Sequence, residues 1–343
     1  MSQNLPDRFA SVEELDDFLA RPGEALVADL AKVPGDIAIL GAGGKMGPSL
    51  ARLARRAAPD RRILAVARFS EPGLKEALEQ DGITCIACDL MDRAAVAALP
   101  QAPNVIFMAG RKFGSQGAEH LTWAMNVLAP ALVAEHFCRS RIVAFSTGCV
   151  YPFVPVTSGG ATEDVPPAAP AGDYAWSCIG RERVFLHFSH LHGTAGRLFR
   201  LNYAIDMRYG VLHDVARKVM TGEPVDLSMG HVNVIWQGDA NAAALRCLAH
   251  ATSPTSPLNV SGPETVSIRW LARRFAQLLG REPVLTGAEA PSGWLVNAAS
   301  AAALLGYPSV PLERMIHWTA DWLARGQPTL DKPTHYEVRD GVF

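Results

Sequence analysis

The sequence predicts an α/β protein, a doubly wound parallel sheet with a smaller C-terminal lobe. Two observations predict it. Apolar runs of strand length alternate with helical stretches from Ile37 to Arg200, the pattern of a parallel sheet covered by helices. The run Ile37-Ala38-Ile39-Leu40 also passes straight into Gly41-Ala42-Gly43-Gly44-Lys45-Met46-Gly47, and a helix opens at Pro48-Ser49-Leu50. Glycine at 41 permits a tight turn, at 44 a close approach by a pyrophosphate, and at 47 close packing of helix on strand. The helix N-terminus adds N–H groups and partial positive charge. A glycine triplet alone is weak evidence, but strand before and helix after sharpen it. Gly41, Gly44, Lys45, Met46 and Gly47 therefore read as a dinucleotide phosphate site.

Composition narrows the class. A chain of 343 residues with a net charge of −2 can bury a large core, and its balanced charge argues against nucleic acid as a partner. No apolar run approaches the roughly 18 residues a membrane helix needs. The acidic start, with Asp7, Glu13, Glu14, Asp16 and Asp17, is unlike a secretory leader. Six scattered cysteines make no disulfide scaffold. The expectation is a soluble cytoplasmic protein. Cys85 and Cys88 form one Cys-x-x-Cys within an apolar strand, with no second pair at zinc spacing, so no metal is expected.

Ser11-Val12-Glu13-Glu14 is a capping-box start, followed by Leu15, Phe18 and Leu19 at helical spacing. This makes residues 1–35 a helical extension ahead of the first strand. The second strand, Arg62 to Arg68, ends without the Asp or Glu that usually holds the adenosine ribose of NAD. Arg68 can instead pair with a 2′-phosphate, so NADP is preferred over NAD. The third strand ends at Cys88-Asp89-Leu90. The fourth, Val105 to Gly110, ends in the small residues Ala109 and Gly110, where a cofactor passes. Asn126 sits within a helix, where asparagine suggests a local hydrogen-bonding task. Arg141 to Thr147 is a further strand running into a polar turn, and the Pro-, Gly- and Ser-rich stretch 152–172 is a long loop over the site.

These features together resemble the extended short-chain dehydrogenase/reductases, the NAD-dependent epimerase/dehydratase family. The Gly-x-x-Gly-x-x-Gly spacing carries the likeness. So do Ser146-Thr147 three residues before Val150-Tyr151, and the helix Tyr174-Ala175-Trp176-Ser177-Cys178-Ile179-Gly180-Arg181-Glu182. It extends from about residue 36 to 325. It implies a Rossmann-type domain over 36–200 with a return near 232–262, and a substrate lobe over 201–231 and 263–343. It also implies that Asp89, with Leu90, lies on the adenine side and that Asn126 is the family's helix asparagine. Thr147, backed by Ser146, would bond the reacting oxygen, and Tyr174 would act as acid/base. Lys112, Ser146 and Asn202 fall on the substrate side, for a sugar-like or other small polyol or carbonyl compound. A homodimer through the helices after Asn126 and Tyr174 is implied as well.

One position departs from the pattern: the lysine four residues after the tyrosine is Cys178. A thiol cannot supply the positive charge that lowers a phenol's pKa. A tyrosine near its ordinary value of about 10 remains a proton donor but a scarce base. Arg181, seven residues after Tyr174 and on nearly the same face, is the first substitute cation, and Lys112 the second. The alternative reading is a dinucleotide-binding sensor or interaction protein with impaired catalysis.

Overall fold

The computed structural model describes residues 5–112 and 117–341. The ends of the expected extension and lobe, at 1–4 and 342–343, lie outside them. Seven strands form one sheet: β1 (Ile37–Leu40), β2 (Ile63–Ala67), β3 (Thr84–Ala87), β4 (Asn104–Phe107), β5 (Arg141–Thr147), β6 (Gly196–Leu201) and β7 (Ser256–Val260). Their order is β7-β6-β5-β4-β1-β2-β3, and every neighbouring pair is parallel. Every residue of β1, β2 and β4 is buried. Parallel strands covered on both faces need apolar side chains on both, which is why these segments read as unbroken apolar runs. The chain winds outward from β1 to β3, then crosses back to β4 on the other side of β1. That reversal opens a crevice beyond the C-terminal ends of β1 and β4, the usual ligand position in such sheets.

Both ends of the chain bind sheet to lobe. Ser11 caps the helix Val12–Leu19 by accepting from the Glu14 N–H, and Leu15, Phe18 and Leu19 enter the lobe core. Phe9 stacks on Trp236 at 6.3 Å and packs on Trp318 at 4.8 Å. Arg56 of the glycine-turn helix (Gly47–Ala57) pairs with Asp17 at 2.8 Å, and Arg208 of the lobe with Asp16 at 2.8 Å. The extension is an apolar clamp with charged edges.

The other end returns in front of the crevice. After the helix Leu312–Ala324, Thr334 donates its N–H and hydroxyl to Asp214 at 2.8 and 2.5 Å. Lys112 donates to the Thr334 carbonyl at 3.1 Å. Gly341 packs so closely on Gly172 that a Cβ at either would collide with backbone of the other's segment. No helix among the described residues is long and apolar enough to cross a membrane.

Candidate active site

The glycine turn divides the crevice into two cavities, and its three motif glycines have different tasks. Gly41 has φ +95° and a Cβ there would lie 2.6 Å from the Ala109 nitrogen, so only glycine lets β1 and β4 approach. A Cβ on Gly47 would run into the Ala42 backbone, which fixes helix against turn. At Gly44 a Cβ meets nothing nearer than the Gly41 carbonyl at 3.5 Å, because this residue faces open space. Ser49 anchors the helix from behind, receiving Gln237 at 3.1 Å and Asn241 at 2.9 Å.

The outer cavity, about 220 Å³, is lined by Arg68, Glu71, Asp89, Leu90 and Ala109 among others. Asp89 turns one carboxylate oxygen to its own loop, accepting from the Met91 N–H at 2.9 Å. Arg68 is exposed at the rim. The strand-end position itself lacks a carboxylate, yet the following loop brings Glu71 to the same cavity, a residue that the sequence reasoning did not weigh. Phe69 takes φ +50° in making that bend.

The inner cavity, about 310 Å³, shares Gly41, Gly44, Met108 and Gly110 with the outer one. It collects Lys45, Met46, Lys112, Ser146, Thr147, Tyr174, Arg181 and Asn202. Cys178 is not among its lining residues: it is fully buried, packed with Cys149 and Trp294. Burial pushes its thiol up to about 11, so it is a neutral neighbour of the phenol.

Arg181 has taken a defined place. It donates to the Phe145 carbonyl at 2.9 Å and to Asn126 Oδ1 at 2.6 Å, with its guanidinium 5.6 Å from the centroid of Phe107. A Cβ on Gly110 would stand 2.5 Å from Arg181 Nη2, so glycine there makes room for the arginine. Asn126 lies in a π-helical turn, Ala124–Leu128, a form frequent at functional sites. It accepts from the Arg111 N–H and donates to the Arg111 carbonyl, both at 2.9 Å, and donates to Ser177 Oγ at 2.9 Å. The local task expected of that asparagine is this bracing of the segment after β4 against the tyrosine helix (Asp173–His192).

Ser146 and Thr147 are oriented differently. Ser146 donates to Glu182 Oε1 at 2.6 Å, within a buried network where Arg200 clasps Glu182 at 2.9 and 2.7 Å and reaches Tyr151 at 2.6 Å. Asn202 donates to the Trp294 carbonyl at 3.3 Å and backs the cavity wall. The Thr147 hydroxyl accepts from the Cys149 N–H at 3.2 Å and bonds the Tyr174 phenol. Burial raises that phenol well above its ordinary value, and the nearby Cys178 and Cys149 thiols add to the rise; Arg181 and the Thr147 bond oppose it without cancelling it. This corrects the sequence-based expectation of an ordinary phenol. Lys112 Nζ stands 5.8 Å from the Tyr174 ring centroid.

Several lining residues were not anticipated from sequence: Tyr209, Gln237 and Thr334, and the direction of the Lys45 side chain. Lys45 Nζ lies 3.3 Å over the Tyr209 ring, across the crevice. Tyr203 also lines the cavity and holds φ +41°, an uncommon conformation for an aromatic residue that marks functional sites more often than chance.

A family model for the NAD dependent epimerase/dehydratase family matches residues 37–243. Among curated protein sequences none matches the chain. Solved structures share its fold. UDP-glucose 4-epimerase from Thermotoga maritima, with UDP-glucose, has 16% identity and a TM-score of 0.72 over 85% of this chain and 99% of its own. The Thermus thermophilus UDP-glucose 4-epimerase, in complex with NAD, has 20% identity and a TM-score of 0.68 over 85% and 99%. UDP-glucuronic acid 4-epimerase from Bacillus cereus, in complex with NAD, has 16% identity and a TM-score of 0.70 over 84% and 96%.

Proposed function

The chain belongs to the NAD-dependent epimerase/dehydratase family, and we propose that it is an NAD(P)-dependent enzyme of the cytoplasm acting on a sugar-like or other small polyol or carbonyl compound. One observation carries the reading: two cavities meet at an open glycine turn, and Tyr174 and Thr147 line only the inner one. The space and the residues fit a dinucleotide. Asp89 and Arg68 would hold its adenosine half, the backbone at Gly44 to Met46 its phosphates, and Gly110 with Arg181 its nicotinamide ribose. The bound nicotinamide would give or take a hydride. Tyr174 would hold the proton exchanged with the substrate oxygen, and Thr147 would orient that oxygen by a hydrogen bond. A phenol raised by burial is protonated at neutral pH, so proton donation to a carbonyl is the favoured direction there.

Arg68 at the rim favours a 2′-phosphate over a bare ribose, so the preferred cofactor is NADP, although Glu71 opposes it. Leu121, Trp123, Leu128 and Trp176 stand exposed on the adjoining helices, which supports pairing with a second copy there. The test is purification followed by dinucleotide titration and a panel of sugars, polyols and aldehydes, with Tyr174→Phe beside the native protein. The reading requires turnover that Tyr174→Phe abolishes while dinucleotide affinity stays. A protein that binds dinucleotide and turns over nothing is the sensor instead.

A further inference from the structure

We infer that the returning tail, residues 330–341, sets substrate size by walling off the inner cavity between the lobe and the tyrosine helix. The substrate is then a free compound of monosaccharide size or smaller, not one linked to a nucleoside diphosphate. This rests on the proposed reading of the inner cavity as the reaction site. The argument is one of place and room. Thr334 is itself a lining residue of the cavity. Its N–H and hydroxyl both bond Asp214, on the lobe helix Val211–Thr221. Further on, Gly341 is pressed against Gly172, directly before the tyrosine helix. The tail therefore runs from the lobe to the start of the helix that carries Tyr174.

Between those ends the tail is held at several points. Leu330 donates its N–H to the Arg208 carbonyl at 3.1 Å. Tyr336 is fully buried in the lobe core. Arg339 donates to the Ser292 carbonyl at 2.7 Å and to its hydroxyl at 3.2 Å. Its guanidinium also lies 4.0 Å from the centroid of Phe153, so the tail is tied to the loop after β5 as well. His335 holds φ +53°, a conformation that persists in a non-glycine residue where its surroundings fix it. Buried and bonded in this way, the segment is a wall of the site.

Room then decides the substrate. The cavity's 310 Å³ is at the small end for ligand sites, which run from about 300 to about 1,000 Å³. The nicotinamide end of a dinucleotide takes part of that space. A sugar on a nucleoside diphosphate needs further room for two phosphates, a ribose and a base. Toward the lobe, that room is filled by the tail.

The experiment compares the full native chain with the double variant Arg339→Ala/Gly341→Val, each saturated with dinucleotide. Neither residue lines the inner cavity. Gly341 holds φ +77° and an added Cβ meets the backbone of Ala171, so the end of the tail must lift. Chymotrypsin cleavage after Tyr336, a buried residue in the seated tail, reports the lifting. Calorimetric titration with UDP-glucose should give a Kd weaker than about 1 mM for the native protein and at least tenfold tighter binding for the variant. Native binding of UDP-glucose tighter than about 0.1 mM overturns the inference. So does a variant with a lifted tail and no gain in UDP-glucose binding. Should the variant not fold or not lift, a chain ended after Gln327 takes its place, and the native titration alone still overturns the inference if UDP-glucose binds. The gain in UDP-glucose binding without turnover of any free sugar, polyol or aldehyde leaves the wall standing and sinks the catalytic reading.

Discussion

The outer and inner cavities meet at one glycine turn but are built on opposite principles. The outer one is made of consecutive residues at strand ends, with its charges at an exposed rim. The inner one draws side chains from the turn, the segment after β4, β5, the tyrosine helix, the lobe and the returning tail, and its charged residues are half-buried (Lys45, Lys112) or buried (Arg181). Exposed charges are screened and individually weak, whereas enclosed ones act strongly on one another. Changes in the inner cavity should therefore alter chemistry and protonation, and changes at the outer rim only graded affinity. The turn between them should matter to both.

Gly44→Leu is the sharpest way to join the two effects. The added side chain enters open space, 3.5 Å from its nearest neighbour, so the fold should survive with little change in Tm. It fills the place through which a dinucleotide must pass, so affinity should fall by about a hundredfold or more, near 3 kcal/mol. Gly47→Ala is the control, because its Cβ meets the Ala42 backbone and should lower Tm first. Unchanged dinucleotide affinity in Gly44→Leu would remove the phosphate site from this turn.

A pH–rate profile separates the cavities next. With the phenol raised by burial, alcohol oxidation that depends on a phenolate base should climb with pH and show no plateau below about 10, the ordinary value. Cys178→Lys introduces a cation beside the phenol and should move the rise downward by about one to three units. Its site is fully buried, so some loss of Tm is expected as well. Overlaid profiles would mean that Arg181 or Lys112 already sets the charge, or that Tyr174 is not the acid/base. No change at the outer rim should displace either curve.

The same contrast explains what could be read from sequence. The turn, the strand ends at Arg68, Asp89 and Ala109, and the tyrosine helix are runs of adjacent residues whose spacing follows from strand and helix geometry. The apolar strands were legible because a parallel sheet buries both faces. The inner cavity depends on contacts between residues far apart. Lys112 and Thr334 are separated by 222 positions, and no local pattern says that the tail returns. Helical periodicity puts Cys178 one turn after Tyr174, but its complete burial, in a core cluster that also holds Cys149 and Trp294, follows from contacts across the fold. Arg181 reaches the cavity because Gly110 leaves it room, a pairing that sequence does not announce. Nor could spacing show that Glu71 lines the same cavity as Arg68.

The smallest effect belongs to the outer rim. Arg68 is exposed, so its pairing with a 2′-phosphate would be a charge-assisted bond weakened by water and salt. Glu71 lines the same cavity and would repel such a phosphate. The native protein should therefore favour NADP over NAD by only a modest factor, about tenfold or less at low salt. Arg68→Ala should bring the two affinities together, and Glu71→Gln should widen the gap by a similar amount in the opposite direction. Both variants should keep the native pH–rate profile, because neither residue lies in the inner cavity. Tighter binding of NAD by the native protein would reverse the proposed preference and make Glu71, rather than Arg68, the residue that reads the ribose.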